Sequence, residues 1–174
     1  ALVKMVSPVL SFTAEEIWAA MPAIARDADS VHLSSWYVEN PEFINAELDS
    51  KWDKIIKLRK EVNKVLEKAR QGENRIIGNS LDAEVSLFIG NDEYKSLLAD
   101  KELLEMIFII SKLNIVETKD DSFTESEELK DISIKVAHAT GEKCERCWKY
   151  SEELGTHEEH STICPRCTGV LVNN

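Results

Sequence analysis

Two short motifs, Cys144-Glu145-Arg146-Cys147 and Cys164-Pro165-Arg166-Cys167, decide how the last part of the chain folds. Sixteen residues separate the motifs, and together they hold all 4 cysteines of the sequence. Each Cys-x-x-Cys turn directs two thiolates toward one point, and two such turns complete a tetrahedron around a metal ion. The motifs therefore predict a C-terminal four-cysteine zinc module with one Zn²⁺ per chain, held by Cys144, Cys147, Cys164 and Cys167.

The predicted zinc ion is structural, because four thiolates fill its shell and leave no position for an activated water molecule. Two disulfides, or an iron site of the rubredoxin type, are the alternatives that the spacing leaves open. Nothing in the sequence marks a secreted protein, and in a reducing cytoplasm paired cysteines favour metal binding. His157 and His160 lie between the motifs. We interpret both as surface residues or as residues that support the ligands.

Basic and aromatic residues surround the cysteines; they are Lys143, Arg146, Trp148, Lys149 and Arg166. Zn²⁺ with four thiolates carries a formal charge of about −2. In one interpretation the basic side chains only offset this negative charge. In the other they contact phosphates of a nucleic acid, while the indole offers a face on which a base can stack.

Upstream of the zinc module the pattern predicts an α+β fold. A long helix from Glu47 to Gln71 carries an apolar stripe and ends at Gly72. A small α/β subdomain with about three strands follows it, because apolar and polar residues alternate in three places. Its predicted elements are a strand at 83–89, a helix at 92–108 broken near residue 100, a strand at 112–117, an exposed acidic loop at 117–131 and a strand at 132–138.

Lysines recur at every third or fourth position of the long helix, opposite its apolar stripe. Residues 47–75 hold nine basic and six acidic residues, a net charge of +3. This local positive charge makes Lys57, Lys60 and Lys64 candidate contacts to a nucleic acid. The alternative is a solvated helix face, which Glu61 and Glu67 dilute with negative charge.

The N-terminal stretch predicts two helices interrupted at Pro8. Thr13 is expected to cap the second helix, with Glu16 three residues later completing a capping box. Tryptophans further along are expected to pack in the core or between elements. They are Trp18, Trp36 and Trp52.

Composition limits the possible functions. The 174 residues are 43% hydrophobic and 30% charged, which excludes wholesale disorder. The formal net charge of −11 means that a nucleic acid can be bound only through a local basic patch. No apolar run reaches the roughly 18 residues of a membrane span. The first residues lack the pattern of a signal peptide and begin inside a helix-like stretch, so we expect a piece of a longer protein that does not contact a membrane.

Both ends of the chain resemble one family. Gly141-Glu142-Lys143-Cys144-Glu145-Arg146-Cys147-Trp148, with the second cysteine motif, resembles the C-terminal zinc-binding segment of bacterial isoleucyl-tRNA synthetases. The run from Ser7 to Trp18 is similar to the closing part of their anticodon-binding helical domain. That part is shared with the class I synthetases for valine, leucine and methionine, whereas the zinc segment distinguishes the isoleucine family.

The resemblance implies a division of the chain into four parts. These are a remnant of the anticodon-binding helical domain at 1–30, a linker at 31–46, the long helix with the small α+β subdomain at 47–140, and the zinc-binding module at 141–174.

The resemblance also implies a function. The parent would be a cytoplasmic, monomeric enzyme that ligates isoleucine to tRNA(Ile) with ATP, and this chain would bind the anticodon side of the tRNA and contact the rest of the synthetase. The catalytic motifs and the editing domain of the family are missing from these residues, so the chain itself is expected to be non-catalytic. The expected tRNA contacts are Lys57, Lys60, Lys64, Lys143, Arg146, Trp148, Lys149 and Arg166. Two alternatives stay open: a zinc module that mediates only intra-enzyme or protein–protein contacts, and an unrelated zinc-ribbon adaptor.

Overall fold

The computed structural model describes residues 1–73 and 75–172, and these described residues divide into two compact units between residues 45 and 46. Helices and strands both occur, and the predicted α+β class is confirmed. The finer boundaries after residues 30 and 140 stay predictions. Within the described part of the chain, no helix combines the length and the apolar character that crossing a membrane requires.

The first unit contains two helices, α1 (Leu2–Val6) and α2 (Ser11–Ala20). Single turns of 3₁₀ helix follow at Ala23–Ala25, Val31–Leu33 and Pro41–Phe43. Trp18 is only 1% exposed, and its indole Nε1 donates to the carbonyl oxygen of Ala28 at 2.9 Å. This bond holds the loop after α2 against the helix, because a buried indole N–H needs an acceptor.

Two expectations for the N-terminal unit are wrong. The second helix begins at Ser11 with Leu10 at its N-cap, so Thr13 lies inside the first turn and does not cap it. The carboxylate of Glu15 instead accepts from the hydroxyl of Ser30 at 2.9 Å, which holds the loop at that point. Trp36 was expected to pack in the core or between elements, but it is 63% exposed.

The second unit is built on one long helix, α3 (Ala46–Arg70). It turns a single stripe of residues into the core; these are Ile55, Leu58, Val62, Val65, Leu66 and Ala69. The spacing of three or four residues places them on one face. The predicted helix differs by one residue at each end. Trp52 lies at the edge of the stripe and is 39% exposed, contrary to the expectation of a packed side chain.

A four-stranded sheet packs in the same core as α3, with the strand order β2-β1-β4-β3. The strands are β1 (Ala83–Ile89), β2 (Lys112–Val116), β3 (Thr124–Glu125) and β4 (Ile132–His138). β1 runs parallel to β2, with Val85 beside Leu113, and antiparallel to β4. The connection from β1 to β2 contains α4 (Asp92–Lys95), a 3₁₀ segment at Ser96–Asp100 and α5 (Lys101–Phe108).

The strand count and the acidic loop require a correction. About three strands were predicted, and the larger sheet has a fourth, β3, inside the stretch that was interpreted as an exposed loop. β3 pairs with β4 through Thr124 and Ile134. Two residues with polar side chains carry no alternating apolar pattern, so the sequence gives no signal for this strand.

The zinc module begins with a hairpin of β5 (Glu142–Lys143) and β6 (Tyr150–Ser151), continues through a 3₁₀ turn at Glu158–His160 and ends in α6 (Pro165–Val172). Gly141 enters the hairpin with φ of +91°. A Cβ there would lie 2.4 Å from the carbonyl carbon of Ser151, so only glycine fits this approach. The backbone N–H of Tyr150 donates to the hydroxyl of Ser111 at 2.7 Å, which joins the module to the start of β2.

Candidate metal centre and nucleic-acid interface

The structure brings the four cysteines of the two motifs together. The four Sγ atoms all lie within 4.8 Å of one another, and the Sγ atoms of Cys147 and Cys164 are 3.7 Å apart. Cys144, Cys164 and Cys167 are buried and Cys147 is half-buried. All four are free thiols, with no disulfide among them. Each motif therefore contributes two sulphur atoms to one enclosed cluster.

Backbone hydrogen bonds shape each cysteine turn. The first turn is closed by the N–H of Trp148, which donates to the carbonyl oxygen of Cys144 at 2.8 Å. The second is closed by the N–H of Thr168, which donates to the carbonyl oxygen of Cys164 at 3.0 Å at the start of α6. The N–H of Glu145 donates to the carbonyl oxygen of Thr162 at 3.1 Å and ties the two turns together. These bonds set the sulphur positions.

The thiols differ in acidity because their surroundings differ. Burial opposes ionisation of Cys144, but backbone N–H groups from Cys147, Cys164 and Arg146 outweigh it and lower the pKa of that thiol to about 6. Burial raises the pKa of Cys147 to about 12 and also raises the pKa of Cys164. Four thiolates cannot share so small a volume without a cation, since each negative charge raises the pKa of the next.

The sulphur cluster fits a tetrahedral zinc ion. Four sulphur atoms about 2.3 Å from a central metal lie about 3.8 Å apart, which matches the 3.7 Å between Cys147 and Cys164. The backbone N–H of Cys164 also points at the Sγ of Cys144, 3.3 Å away, as expected for a sulphur that carries negative charge. His157 and His160 stack on each other with ring centroids 5.4 Å apart and are not part of the cluster.

Three residues beside the cluster face solvent. Arg146 and Arg166 are exposed, and neither forms an ion pair with a side chain in residues 1–73 or 75–172. Trp148 is 62% exposed and adopts a left-handed backbone with φ of +64°, which is uncommon for any residue other than glycine. The turn that the first cysteine pair requires thus leaves the indole projecting into solvent.

Two other predicted contacts of the module are engaged within the chain. The ammonium of Lys143 lies 3.8 Å from the carboxylate of Asp82, and that of Lys149 lies 3.9 Å from Glu105. Both pairs join the zinc module to the sheet subdomain. These lysines therefore have a structural contact beside any role in binding.

The predicted lysine contacts of α3 also divide into those engaged by acidic side chains and those exposed to solvent. Lys60 lies 2.8 Å from Glu128, and Lys64 lies 3.1 Å from Glu127 and 3.2 Å from Glu128. Lys57 is exposed and forms no ion pair with the residues that the structure describes. The acidic stretch after β3 thus neutralises two of the three predicted lysine contacts on this helix.

Glu61, which the sequence suggested as a diluting surface charge, is buried with a side chain only 2% exposed. Its carboxylate accepts from the backbone N–H groups of Glu127 and Glu128 at 2.7 and 3.2 Å and lies 2.7 Å from Lys64. Burial opposes its ionisation, but hydrogen bonds from Lys64, Ser126 and these backbone groups lower the pKa of Glu61 to about 2. Glu61 therefore fastens the acidic segment to α3.

Sequence reasoning also missed Arg59 as a candidate contact. It lies one turn from Ile56 on the solvent face of α3, is exposed, and has no ion-pair partner within the described ranges. The available signal was its spacing of three residues from Ile56 and four from Asn63, because residues at that spacing share a helix face.

Comparison with known proteins decides the family. Residues 1–87, half of the chain, match the family model described as the anticodon-binding domain of tRNA ligase. The chain belongs to this family. Residues 141–168 match a second model, described as a zinc finger found in FPG and IleRS, and this range contains all four cysteines.

Related proteins share the two features in one chain. The sequence is 43% identical to an isoleucine–tRNA ligase of Desulforamulus reducens over 173 residues and 39% identical to one of Kosmotoga olearia, each time over 98% of this chain. An isoleucine–tRNA ligase of Thermotoga petrophila is 40% identical over 174 residues. The chain spans 18% of the length of these relatives. The resemblance to isoleucyl-tRNA synthetases is confirmed.

Proposed function

We propose that this chain is the part of an isoleucyl-tRNA synthetase that binds the anticodon side of tRNA(Ile), and that the protein containing it ligates isoleucine to that tRNA with ATP. The family of the anticodon-binding domain supports tRNA as the ligand. The chain itself is proposed to be non-catalytic, and the parent to be a cytoplasmic monomer. The observation that carries the proposal is the exposed trio of Arg146, Trp148 and Arg166 beside the cysteine cluster.

The trio has the chemistry that single-stranded RNA requires. Guanidinium groups bind phosphate through several donors, and they are available here because no described carboxylate engages them. An exposed indole gives a stacking face that any base can use. The anticodon loop presents unpaired bases and phosphates, so it offers both kinds of contact. Lys57 is proposed to contribute along α3, whereas Lys60, Lys64, Lys143 and Lys149 contribute after exchange of their internal ion pairs.

The metal in the cysteine cluster is proposed to be one structural zinc ion per chain. The zinc-finger family model, the closed set of four sulphur donors and the buried position support this assignment. The ion would be held by Cys144, Cys147, Cys164 and Cys167. Its proposed role is to keep the two cysteine turns together and thereby to hold the trio in place.

The alternative function is a zinc module that only mediates contacts within the enzyme or to a protein. One observation favours it: the outer face of α6 leaves Leu171 and Val172 46% and 58% exposed. An exposed apolar face of this kind is typical of a protein contact. Under this alternative the exposed trio would be dispensable for tRNA binding.

The test replaces Arg146, Trp148 and Arg166 together by alanine in the synthetase that contains this chain. The cysteines are untouched, so zinc content should stay at one per chain. Affinity for the tRNA should fall by about 1–3 kcal/mol if one stacked base is lost. Isoleucine-dependent ATP–pyrophosphate exchange, which needs no tRNA, should be unchanged.

A matched control variant replaces Lys101, Lys130 and Trp36 by alanine. It removes the same charge and a tryptophan of equal exposure, 63% against 62%. Its tRNA charging should stay within about twofold of the unmodified protein, as is usual for exposed positions. Normal charging by the zinc-replete triple variant, or an equal loss in the control, would remove the trio from the proposed interface and favour the protein-contact alternative.

A further inference from the structure

The solvent face of α3 borders an open groove with a volume of about 690 Å³. Its basic lining residues are Arg59, Lys60, Lys64 and Lys68, and Asn63 and Gln71 add amide groups. The first and last cation, Arg59 and Lys68, are nine positions apart, a distance of about 14 Å along the helix axis. A row of cations of this length suits several phosphates of one strand better than a single small anion.

Two carboxylates occupy the positions where such phosphates would bind. Glu128 bridges Lys60 and Lys64 at 2.8 and 3.2 Å. Glu127 bridges Lys64 and Lys68 at 3.1 and 3.6 Å. Each carboxylate therefore lies between two lysines one helical turn apart, as a backbone phosphate tracking the helix would.

The segment is anchored by groups other than its two carboxylates, and the anchoring residue, Glu61, also lies 2.7 Å from Lys64. Glu61 holds the segment through the backbone N–H groups of Glu127 and Glu128 and through the hydroxyl of Ser126, and not through their carboxylates. The side chains of Glu127 and Glu128 remain 62% and 51% exposed. Both carboxylates can thus swing away from the lysines while the backbone stays attached to α3.

We propose that Glu127 and Glu128 form an acidic latch, an internal competitor that covers the phosphate-binding positions of α3 and is displaced by the tRNA backbone. This proposal rests on the tRNA-binding function proposed above and specifies how one of its surfaces is controlled. Exposed ion pairs are individually weak, so a polyanion with several phosphates can exchange with them. The latch would weaken binding of isolated anions and favour ligands that supply a continuous phosphate backbone.

The test is the double substitution Glu127→Gln and Glu128→Gln in the whole synthetase, with binding of an in vitro-transcribed isoleucine tRNA measured by fluorescence anisotropy. Removing the competitor should tighten binding by about three- to tenfold, since four exposed ion pairs no longer have to be broken. The plot of log affinity against log salt should become steeper by about one to two, because Lys60 and Lys68 are then free to neutralise phosphates and release the counterions of the tRNA, whereas Lys64 keeps its pair with Glu61. Glutamine keeps the backbone groups that Glu61 holds, so melting temperature should change little.

The matched control is Glu117→Gln with Asp121→Asn. These acids belong to the same acidic stretch and are exposed, and neither pairs with a basic side chain among residues 75–172. The control changes net charge by the same amount, so binding should tighten by less than about twofold. The single substitution Glu128→Gln, which removes two of the four ion pairs, should give an intermediate gain.

A third variant, Lys57→Ala with Arg59→Ala, separates the latch from the function on which it rests. It should weaken binding by about fivefold or more, because both cations are proposed phosphate contacts. Weakening in this variant, together with equal affinities for the Gln variant and its control, would overturn the latch alone. If neither the double Gln variant nor the Lys57→Ala, Arg59→Ala variant changes affinity, α3 is not a tRNA-binding surface. The latch then fails together with that part of the proposed function.

Discussion

The zinc module and the region of α3 with its sheet are held together by different forces. The buried apolar cluster of the module consists of Cys144, Cys164 and Cys167, with Leu154 and Ile163 packed against it. The region of α3 has a continuous core of aliphatic and aromatic residues from α3, β1, β4 and α5. The module therefore depends on its proposed metal, whereas the larger region depends on burial of apolar surface.

The two regions also differ in what their basic side chains face. Arg146 and Arg166 of the module point to solvent, whereas Lys60 and Lys64 of α3 meet Glu127 and Glu128. A count of charges would rank α3 as the more basic surface. The comparison shows that the availability of a cation depends on the acids which the fold brings to it.

Removal of the metal is expected to have the largest effect on stability, and it tests whether the zinc module depends on a metal while the region of α3 does not. Chelation, or Cys144→Ser, should unfold residues 141–172, because structural zinc contributes on the order of 10 kcal/mol to folding in small modules. Residues 83–89 of β1 should keep their amide protection, since their core contains no metal ligand. Metal analysis and hydrogen exchange would measure both. His157→Ala is the control and should retain zinc; protected amides in the chelated module would contradict metal-dependent folding.

A substitution in the apolar core of α3 and its sheet is expected to have an intermediate effect on the free energy of unfolding. Leu58 is fully buried, and Leu58→Ala should lower the free energy of unfolding by about 2–5 kcal/mol through lost burial and a cavity. Ile56→Ala on the same helix removes a side chain that is 59% exposed and should cost less than about 1 kcal/mol. Urea unfolding followed by circular dichroism would measure both variants. Zinc content should not change, and its loss in Leu58→Ala would show that the two regions fold as one.

Protonation of Glu61 is expected to have a smaller effect on stability, and it tests whether buried acids engage the charges of α3. Its pKa is about 2 in the folded chain against an ordinary value of 4.5, so its stabilisation is complete above pH 4.5 and is lost as pH falls toward 2. Glu61→Gln should be less stable than the unmodified chain by about 1–3 kcal/mol at pH 6, and the difference should shrink at pH 3. Urea unfolding would measure both proteins at the two pH values. Loss of zinc at low pH affects both proteins equally and therefore does not enter the difference between them. A difference independent of pH would show that Glu61 does not carry its charge in the fold.

Much of the architecture could be predicted from local patterns. The apolar stripe of α3 and the alternation in β1 predicted a helix and a strand within one residue of the observed bounds, because burial on one face imposes a period of 3.6 or 2 residues. The two Cys-x-x-Cys motifs predicted that four sulphur atoms would meet, since each turn places its pair close together. The strand at Thr124–Glu125 and the start of α2 could not be predicted in this way. Neighbouring elements decide both, and no local pattern marks them.

The sequence by itself determined the α+β class, the long helix and the cysteine cluster, because each of these depends on spacing along the chain. It indicated the family through the resemblance of its motifs. Only the tertiary structure decided which charges are available and which are engaged. Nothing in the sequence of α3 distinguishes Glu61 from the exposed charged residues around it. In the structure Glu61 is buried and accepts hydrogen bonds from residues more than sixty positions away. The physical reason is that a charge interacts with whatever lies within a few ångströms, and chain folding sets those neighbours.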